Sequence, residues 1–325
     1  MSTYNGDSKG GYIWEQLDSV LTQTYPLHEI IIQDDGSTDE TWSKLCIYSL
    51  KSSIIKLFRN VANLGVGNAW ISAWNRANGE YIVVCDDDDL WLPDKVKILI
   101  SAIGNKILAI GQSMVIKGDD YDNFILGYKW SIRNPHTATI EKLMFNNCVG
   151  GGLEMMFHVR AMNYINRIES SNSIVPDYLL AIIGYYLNSV AVTDEITQYC
   201  RINPRSTSGR EFKTVEVNKI QKHIPGYKIL HTNICLIKGN KSRKITEAFT
   251  KKIEVIQVLM QEKTRNELLS LLSLMRQQTF LSYWKASTIC YRLRNNIFSN
   301  TNGFKGRAHA FFYVHKWWFD HRFDC

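Results

Sequence analysis

The sequence has no apolar run long enough to cross a bilayer as a helix. Its longest notable uncharged stretch, residues 178–193 between Asp177 and Asp194, is 16 residues long, against the roughly 20 that a spanning helix needs. Asn188 and Ser189 interrupt it, and it reads instead as a buried helix followed by a strand. Cysteines number seven, but no two form a C-x-x-C pair. Scattered and odd in number, in a chain without a secretory-type start, they exclude a disulfide-stapled scaffold and a zinc site and predict a reducing, cytoplasmic setting. Proline is scarce, six in 325 residues, and 45% of the residues are hydrophobic, which excludes collagen-like and disordered chains. A chain of this length can bury a full core and is long for one compact domain.

Acid is scarce in the C-terminal third. Residues 201–325 hold 23 Lys/Arg against 8 Asp/Glu, a net +15, whereas residues 1–200 hold 15 against 23, a net −8. The overall charge of +7 therefore conceals two regions of opposite sign, and we divide the chain at 1–212 and 213–325.

The first region alternates strand and helix. Ile13, Leu17, Val20 and Leu21 share a helical face that stops at Tyr25-Pro26, and Glu29 to Gln33 is a short apolar strand running into Asp34-Asp35-Gly36-Ser37-Thr38-Asp39. A helix from Trp42 to Leu50, a strand from Ile54 to Phe58, a helix from Val66 to Ala77 and a strand from Tyr81 to Cys85 follow at βαβ spacing. Further strands are expected at Lys106 to Ile116 and Val190 to Val192, with a helix opening at Pro176-Asp177 and a glycine run at Gly150-Gly151-Gly152 before it. Beyond residue 212 the pattern turns to amphipathic helices, with Phe249, Ile253, Ile256 and Met260 on one face and a leucine-rich stretch from Leu268 to Met275.

Two of these strands end in acid, at Asp34-Asp35 and at Asp86-Asp87-Asp88-Asp89. Open α/β sheets bind ligands at the C-terminal ends of their strands. Four carboxylates in a row repel one another unless a cation or a substrate offsets the charge, and hard oxygen donors suit Mg²⁺ or Mn²⁺. A solvated acidic turn is the alternative reading of the run taken alone. Turn formation and helix capping account equally for Asp34, Ser37 and Asp39.

Five motifs follow one another in order: Ser2-Thr3-Tyr4-Asn5-Gly6, Gln23-Thr24-Tyr25-Pro26, Asp34 to Asp39, Asn63-Leu64-Gly65 through Asn68, and Asp86 through Pro93. Over residues 1–209 this pattern resembles the family-2 glycosyltransferases, most closely bacterial members that build O-antigen and related surface polysaccharides, such as rhamnosyl-type transferases. The resemblance implies a GT-A fold, an α/β, Rossmann-like, mixed and mostly parallel sheet flanked by helices. It also implies transfer of a sugar from a UDP- or dTDP-linked donor to a saccharide, lipid-linked acceptor.

By that resemblance Ser2, Thr3, Tyr4 and Asp35 contact the nucleotide base, with Asn68 nearby. Asp86 and Asp88 ligate the metal, Asp87 lies near the ribose, and Asp89 and Trp91 shape the acceptor side, although Trp91 suits a core equally. Asp177 is the general base, with helix capping as its rival role. Arg201 contacts the diphosphate or forms a salt bridge inside the domain. One base predicts a single displacement with inversion. Family members carry an apolar first strand ahead of the Thr-Tyr-Asn segment, whereas this sequence opens at Met1-Ser2-Thr3.

Other readings stay open at this stage: a noncatalytic nucleotide-fold module attached to membrane or nucleic acid, and a metal-dependent nucleotidyltransferase. Nucleic acid is not the expected partner, because no helix-turn-helix, RNA-recognition or zinc-finger pattern accompanies the basic charge. The aromatic and basic ending, Phe311 to Phe319, suits an anionic membrane surface, with packing onto the domain as the alternative. Peripheral attachment to the cytoplasmic face of the inner membrane predicts that deleting residues 304–325 releases the protein from acidic vesicles in a sedimentation assay. Undiminished binding would refute it.

Overall fold

The computed structural model describes residues 1–117, 151–166, 176–203 and 280–292, with isolated positions at 119, 121, 125–126, 135–138, 143, 270 and 273–274. Two compact units divide the chain, Met1–His136 with Val149–Ile229, and Thr137–Cys148 with Leu230–Cys325.

In the first unit, β1 (Ser2–Thr3), β2 (Ile30–Asp34) and β3 (Ile55–Arg59) form a parallel sheet in that order. Helix α1 (Tyr12–Leu21) follows Gly11, whose left-handed backbone turns the chain into the helix. Its apolar residues recur every three or four positions, and Ile13, Leu17 and Val20 are buried against Ile32 and Leu45 in one core cluster. Leu45 belongs to α2 (Thr41–Tyr48), and α3 (Val66–Asn75) buries Ala69, Trp70, Ala73 and Trp74. Burying one such side chain contributes about 1.5–3 kcal/mol.

The second sheet takes the order β4 (Tyr81–Val83), β8 (Met155–His158), β6 (Leu108–Lys117), β9 (Val190–Ile202), β5 (Leu90–Trp91), with β7 (Ile125–Leu126) beside β6. Helix α4 (Lys95–Ile103) packs on β9 and β6, a short α5 spans Met162–Ile165, and α6 (Pro176–Tyr186) precedes β9. Among the described residues three pairings are parallel and four antiparallel. The antiparallel share exceeds what strand–helix alternation suggests, because β5, β7 and β8 each pair antiparallel with a neighbour. The expected strand at Val190 to Val192 continues to Ile202, since β6 offers partners along its whole length. Thr193, Asp194, Glu195, Thr197 and Gln198, polar about a single Ile196, conceal that continuation in the sequence.

In the second unit the helix Phe280–Arg292 buries Ala286, Ser287 and Ile289 and exposes Leu281 and Trp284. The amphipathic face from Phe249 to Met260, most of Leu268 to Met275 and the ending from Phe311 to Phe319 lie outside the described residues. Among those described, no helix is long and apolar enough to cross a membrane.

β1 meets β2 over two residues, with Ser2 opposite Gln33 and Thr3 opposite Asp34. Behind Met1 the start of β2 and the outer edge of β4 border a groove of about 360 Å³ lined by Ile30, Ile31, Trp74, Tyr81, Val83 and Ile100. The Met1 ammonium is buried beside it, bonds to the Ile31 carbonyl at 2.8 Å and has its pKa lowered by desolvation. Continued backward, the register sets four residues ahead of Met1 against Ile31, Ile30, Glu29 and His28, all of which line the groove. Joining Val-Ser-Val-Ile to Met1 is therefore expected to raise Tm, at about 2–4 °C per kcal/mol for a domain of this size, and Gly-Ser-Gly-Ser is expected to raise it less. Equal melting of the two extended proteins would show that the groove does not receive a strand.

Candidate active site

The acidic loop leaves β4 through Val84 and Cys85, both buried. Burial first, then repulsion from Asp89, Asp88, Asp87 and Asp177, pushes the Asp86 carboxyl well above the usual carboxylate range. Burial and the charges of Asp89 and Asp87 do the same to Asp88, against a hydrogen bond from Asn203 and the attraction of Lys9. Asp89, 2% exposed, is pushed up to about 6 by burial, although the Arg201 backbone N–H, Lys95 and the Arg201 guanidinium oppose the shift. Asp87 accepts from Thr3 Oγ1 at 2.6 Å and lies 3.8 Å from Lys9 Nζ. The Thr3 bond ties the end of β1 to the acidic loop, so both strand ends open on one edge.

The second acidic loop is built from its first carboxylate. Asp34 is fully buried, accepts from the Ser37 N–H and hydroxyl, and pairs with Arg59 Nε at 3.0 Å. Gly36 (φ 76°) has no room for a side chain, since a Cβ there would stand 2.9 Å from the Ala62 carbonyl carbon. Asp39 accepts from the Thr41 N–H at the start of α2 and from the Ser8 N–H, the capping work expected of it. Asp35 is 2% exposed and accepts from Asn60 Nδ2 at 2.7 Å, the Leu64 N–H at 2.9 Å and the Gly65 N–H at 2.8 Å. A carboxylate accepts about four hydrogen bonds, so one lone-pair direction of Asp35 remains for a ligand.

Asp177 stands in the first turn of α6. Its Oδ2 accepts from the Gly152 N–H at 2.9 Å and its Oδ1 from the Tyr178 N–H at 2.7 Å. Gly152 opens a tight turn, Gly152–Glu154, in which a Cβ would meet Asp177 Cβ at 2.7 Å and the Trp70 ring at 2.9 Å. The glycine run is thus a close-approach point between that turn, α3 and α6. Asp177 also adds to the repulsion at Asp86, which puts the two within electrostatic reach.

Other expected site residues have structural partners. Ser2 and Thr3 are buried, Tyr4 is half-buried, and Asn68 donates to the Leu64 carbonyl at 2.8 Å. The Arg201 side chain is fully buried and pairs with Glu15 at 2.7 Å and Asp119 at 3.2 Å. It also bonds Tyr121 and the Asp88 carbonyl and lies 4.0 Å over the Tyr12 ring, so the internal salt bridge is what this structure shows. Its backbone N–H donates to Asp89 Oδ1 at 3.0 Å, and the residue braces the acidic loop from behind. Trp91, 5% exposed, belongs to the core. Both Asp89 and Trp91 are buried here, at the strand that pairs with β9 at the end of the sheet. Sequence reasoning passed over Lys9, Arg59 and Lys95, whose positions carry no periodic or motif signal.

Among the described residues no three of His, Cys, Asp and Glu converge into a ready metal cage. Mg²⁺ held by one or two carboxylates, with substrate phosphates completing its shell, needs none. Asp86 and Asp88 are hard donors whose mutual repulsion a cation relieves, so the donor set fits Mg²⁺ or Mn²⁺.

Gly152→Ala is expected to lower stability by about 1–3 kcal/mol, the usual cost of overpacking, because the added methyl group meets Asp177 and Trp70 together. Thermal unfolding measures it, and an unchanged Tm would show that the turn gives way freely.

The family model for glycosyl transferase family 2 matches residues 1–164, just over half of the chain. An Escherichia coli UDP-Glc:alpha-D-GlcNAc-diphosphoundecaprenol beta-1,3-glucosyltransferase, WfgD, is 32% identical over 152 residues, 46% of this chain and 55% of that protein. The putative teichuronic acid biosynthesis glycosyltransferase TuaG of Bacillus subtilis is 31% identical over 143 residues, 43% of this chain and 54% of that protein. The chain thus spans about half the length of these curated relatives. S. aureus TarS 1-349, solved in complex with UDP-GlcNAc, matches with a TM-score of 0.56 at 14% identity, covering 99% of this chain and 88% of that one, a likeness of fold. With the acid-tipped strands and the family match in hand, the chain belongs to glycosyl transferase family 2, on a GT-A fold.

Proposed function

We propose that this chain is an inverting, metal-dependent glycosyltransferase that moves a sugar from a UDP- or dTDP-linked donor to a saccharide carried on a lipid diphosphate. The observation that carries the reading is one carboxylate, Asp177, within electrostatic reach of a buried, mutually repelling acid loop. Asp86 and Asp88 would hold Mg²⁺ or Mn²⁺. When bound, the ion offsets the charge that builds on the departing nucleotide diphosphate.

The protein's own residues supply the rest. Tyr4 offers its ring to the base, and the free lone pair of Asp35 accepts an imide N–H of uracil or thymine. Asp87, held by Thr3, stands by for the ribose, and Asn68 lines the same side. Asp177 takes the proton of the acceptor hydroxyl as that oxygen attacks the anomeric carbon opposite the diphosphate, so the configuration inverts. Its two backbone N–H donors keep the carboxylate aimed. The lipid-linked acceptor rests on the acceptor named for the E. coli relative, and the basic C-terminal third would favour the anionic leaflet where such an acceptor lies.

With UDP-glucose or dTDP-glucose and Mn²⁺, the wild-type chain is expected to release the nucleoside diphosphate. Asp88→Ala and Asp177→Ala are each expected to lower that rate by about 10²-fold or more. Product analysis by ion-exchange chromatography decides. Release of pyrophosphate, or equal background rates in all three proteins, would overturn the reading.

A further inference from the structure

Lys95, the first residue of α4, is a lysine with no solvent exposure. Lysines are almost never fully buried without a partner. Its Nζ donates to the Leu153 carbonyl at 2.6 Å and to Gln198 Oε1, and stands 4.4 Å from the centroid of the Trp91 ring. It lies behind the acidic loop, where its charge acts on Asp89, Glu154 and Asp86. No open surface reaches it, so it cannot touch a substrate.

The Leu153 carbonyl belongs to the same three-residue turn whose Gly152 N–H donates to Asp177 Oδ2 at 2.9 Å. One peptide step therefore separates the group that Lys95 grips from the group that orients the carboxylate. The turn is anchored at its far end as well, where the buried Ser113 Oγ donates to Glu154 Oε1. A single ammonium can serve a carbonyl, an amide oxygen and a ring face from one point, which no uncharged side chain of similar length can do.

We propose that Lys95 is a positioning residue for the reaction: through the Leu153 carbonyl it fixes the Gly152–Glu154 turn, and through the Gly152 N–H that turn fixes Asp177. The inference rests on the assignment of Asp177 as base, and the experiment separates the two.

Lys95→Met keeps the length of the side chain and removes its donors. Its steady-state hydrolysis of UDP-glucose with Mn²⁺ is expected to show kcat lowered about tenfold or more, with KM for UDP-glucose and calorimetric Kd for UDP within about twofold of wild type. A purely structural lysine would lower Tm without this split. Lys95→Met and Gly152→Ala act on one carboxylate, so their effects on kcat should fall short of additive, whereas independent damage would add. Should Lys95→Met not accumulate as folded protein, Gln198→Leu, which removes one of the two anchors of Nζ, is expected to lower kcat about threefold with the same unchanged KM. Wild-type kcat in Lys95→Met, or in Gln198→Leu where that variant must stand in, overturns the proposal, as does full additivity with Gly152→Ala. Undiminished turnover by Asp177→Asn would instead remove the base assignment on which the proposal rests.

Discussion

Repulsion among carboxylates is the constraint around which the first unit is arranged. Asp86, Asp87, Asp88 and Asp89 occupy one loop at a strand end, where burial first and neighbouring charges next raise the pKa values of Asp86, Asp88 and Asp89. Such a loop keeps its shape only if cations and N–H donors meet it from the protein side. Arg201 supplies a backbone N–H to Asp89 and its guanidinium to the Asp88 carbonyl, Lys95 lies beneath, and Thr3 and Lys9 hold Asp87.

The scaffold explains why the two acidic loops meet. β1 lies beside β2, and the same Thr3 that ends β1 bonds both the Asp35 backbone N–H, through its carbonyl, and the Asp87 carboxylate, through its hydroxyl. Asp34 and Asp35 then divide the work. The first is spent on closing its own turn against Ser37 and Arg59, and the second organises the loop from Asn60 to Gly65. Asp177 arrives from a different element altogether, carried by α6 and aimed by a glycine turn that a methyl group would displace.

Arg201 illustrates what a residue type leaves undecided when taken alone. The family resemblance offers it either a diphosphate contact or a salt bridge inside the domain, and in the structure Glu15 on α1 and Asp119 beyond β6 pair with its guanidinium. Neither acid is near it in sequence, so the competing partners were invisible before folding. Trp91 is a parallel case: an aromatic beside the acid run could face a substrate or the core, and the β5–β9 pairing turns it into the core.

The sequence by itself determined the order of strands and helices from Tyr12 to Val83, the strand at Leu108–Lys117, the two acid-tipped strand ends, the helix start at Pro176 and the family pattern, but not the strand Leu90–Trp91 or the helix Lys95–Ile103. Each feature it determined is written in local periodicity, turn chemistry or motif spacing, which need no distant partner. Tertiary structure alone decided which groups answer which charges: Lys95 under the acidic loop, Arg201 behind it, Gly152 against Asp177 and the split of the strands into two sheets. Those depend on residues tens of positions apart meeting in a medium where an unpaired charge is costly, and no local pattern encodes such meetings.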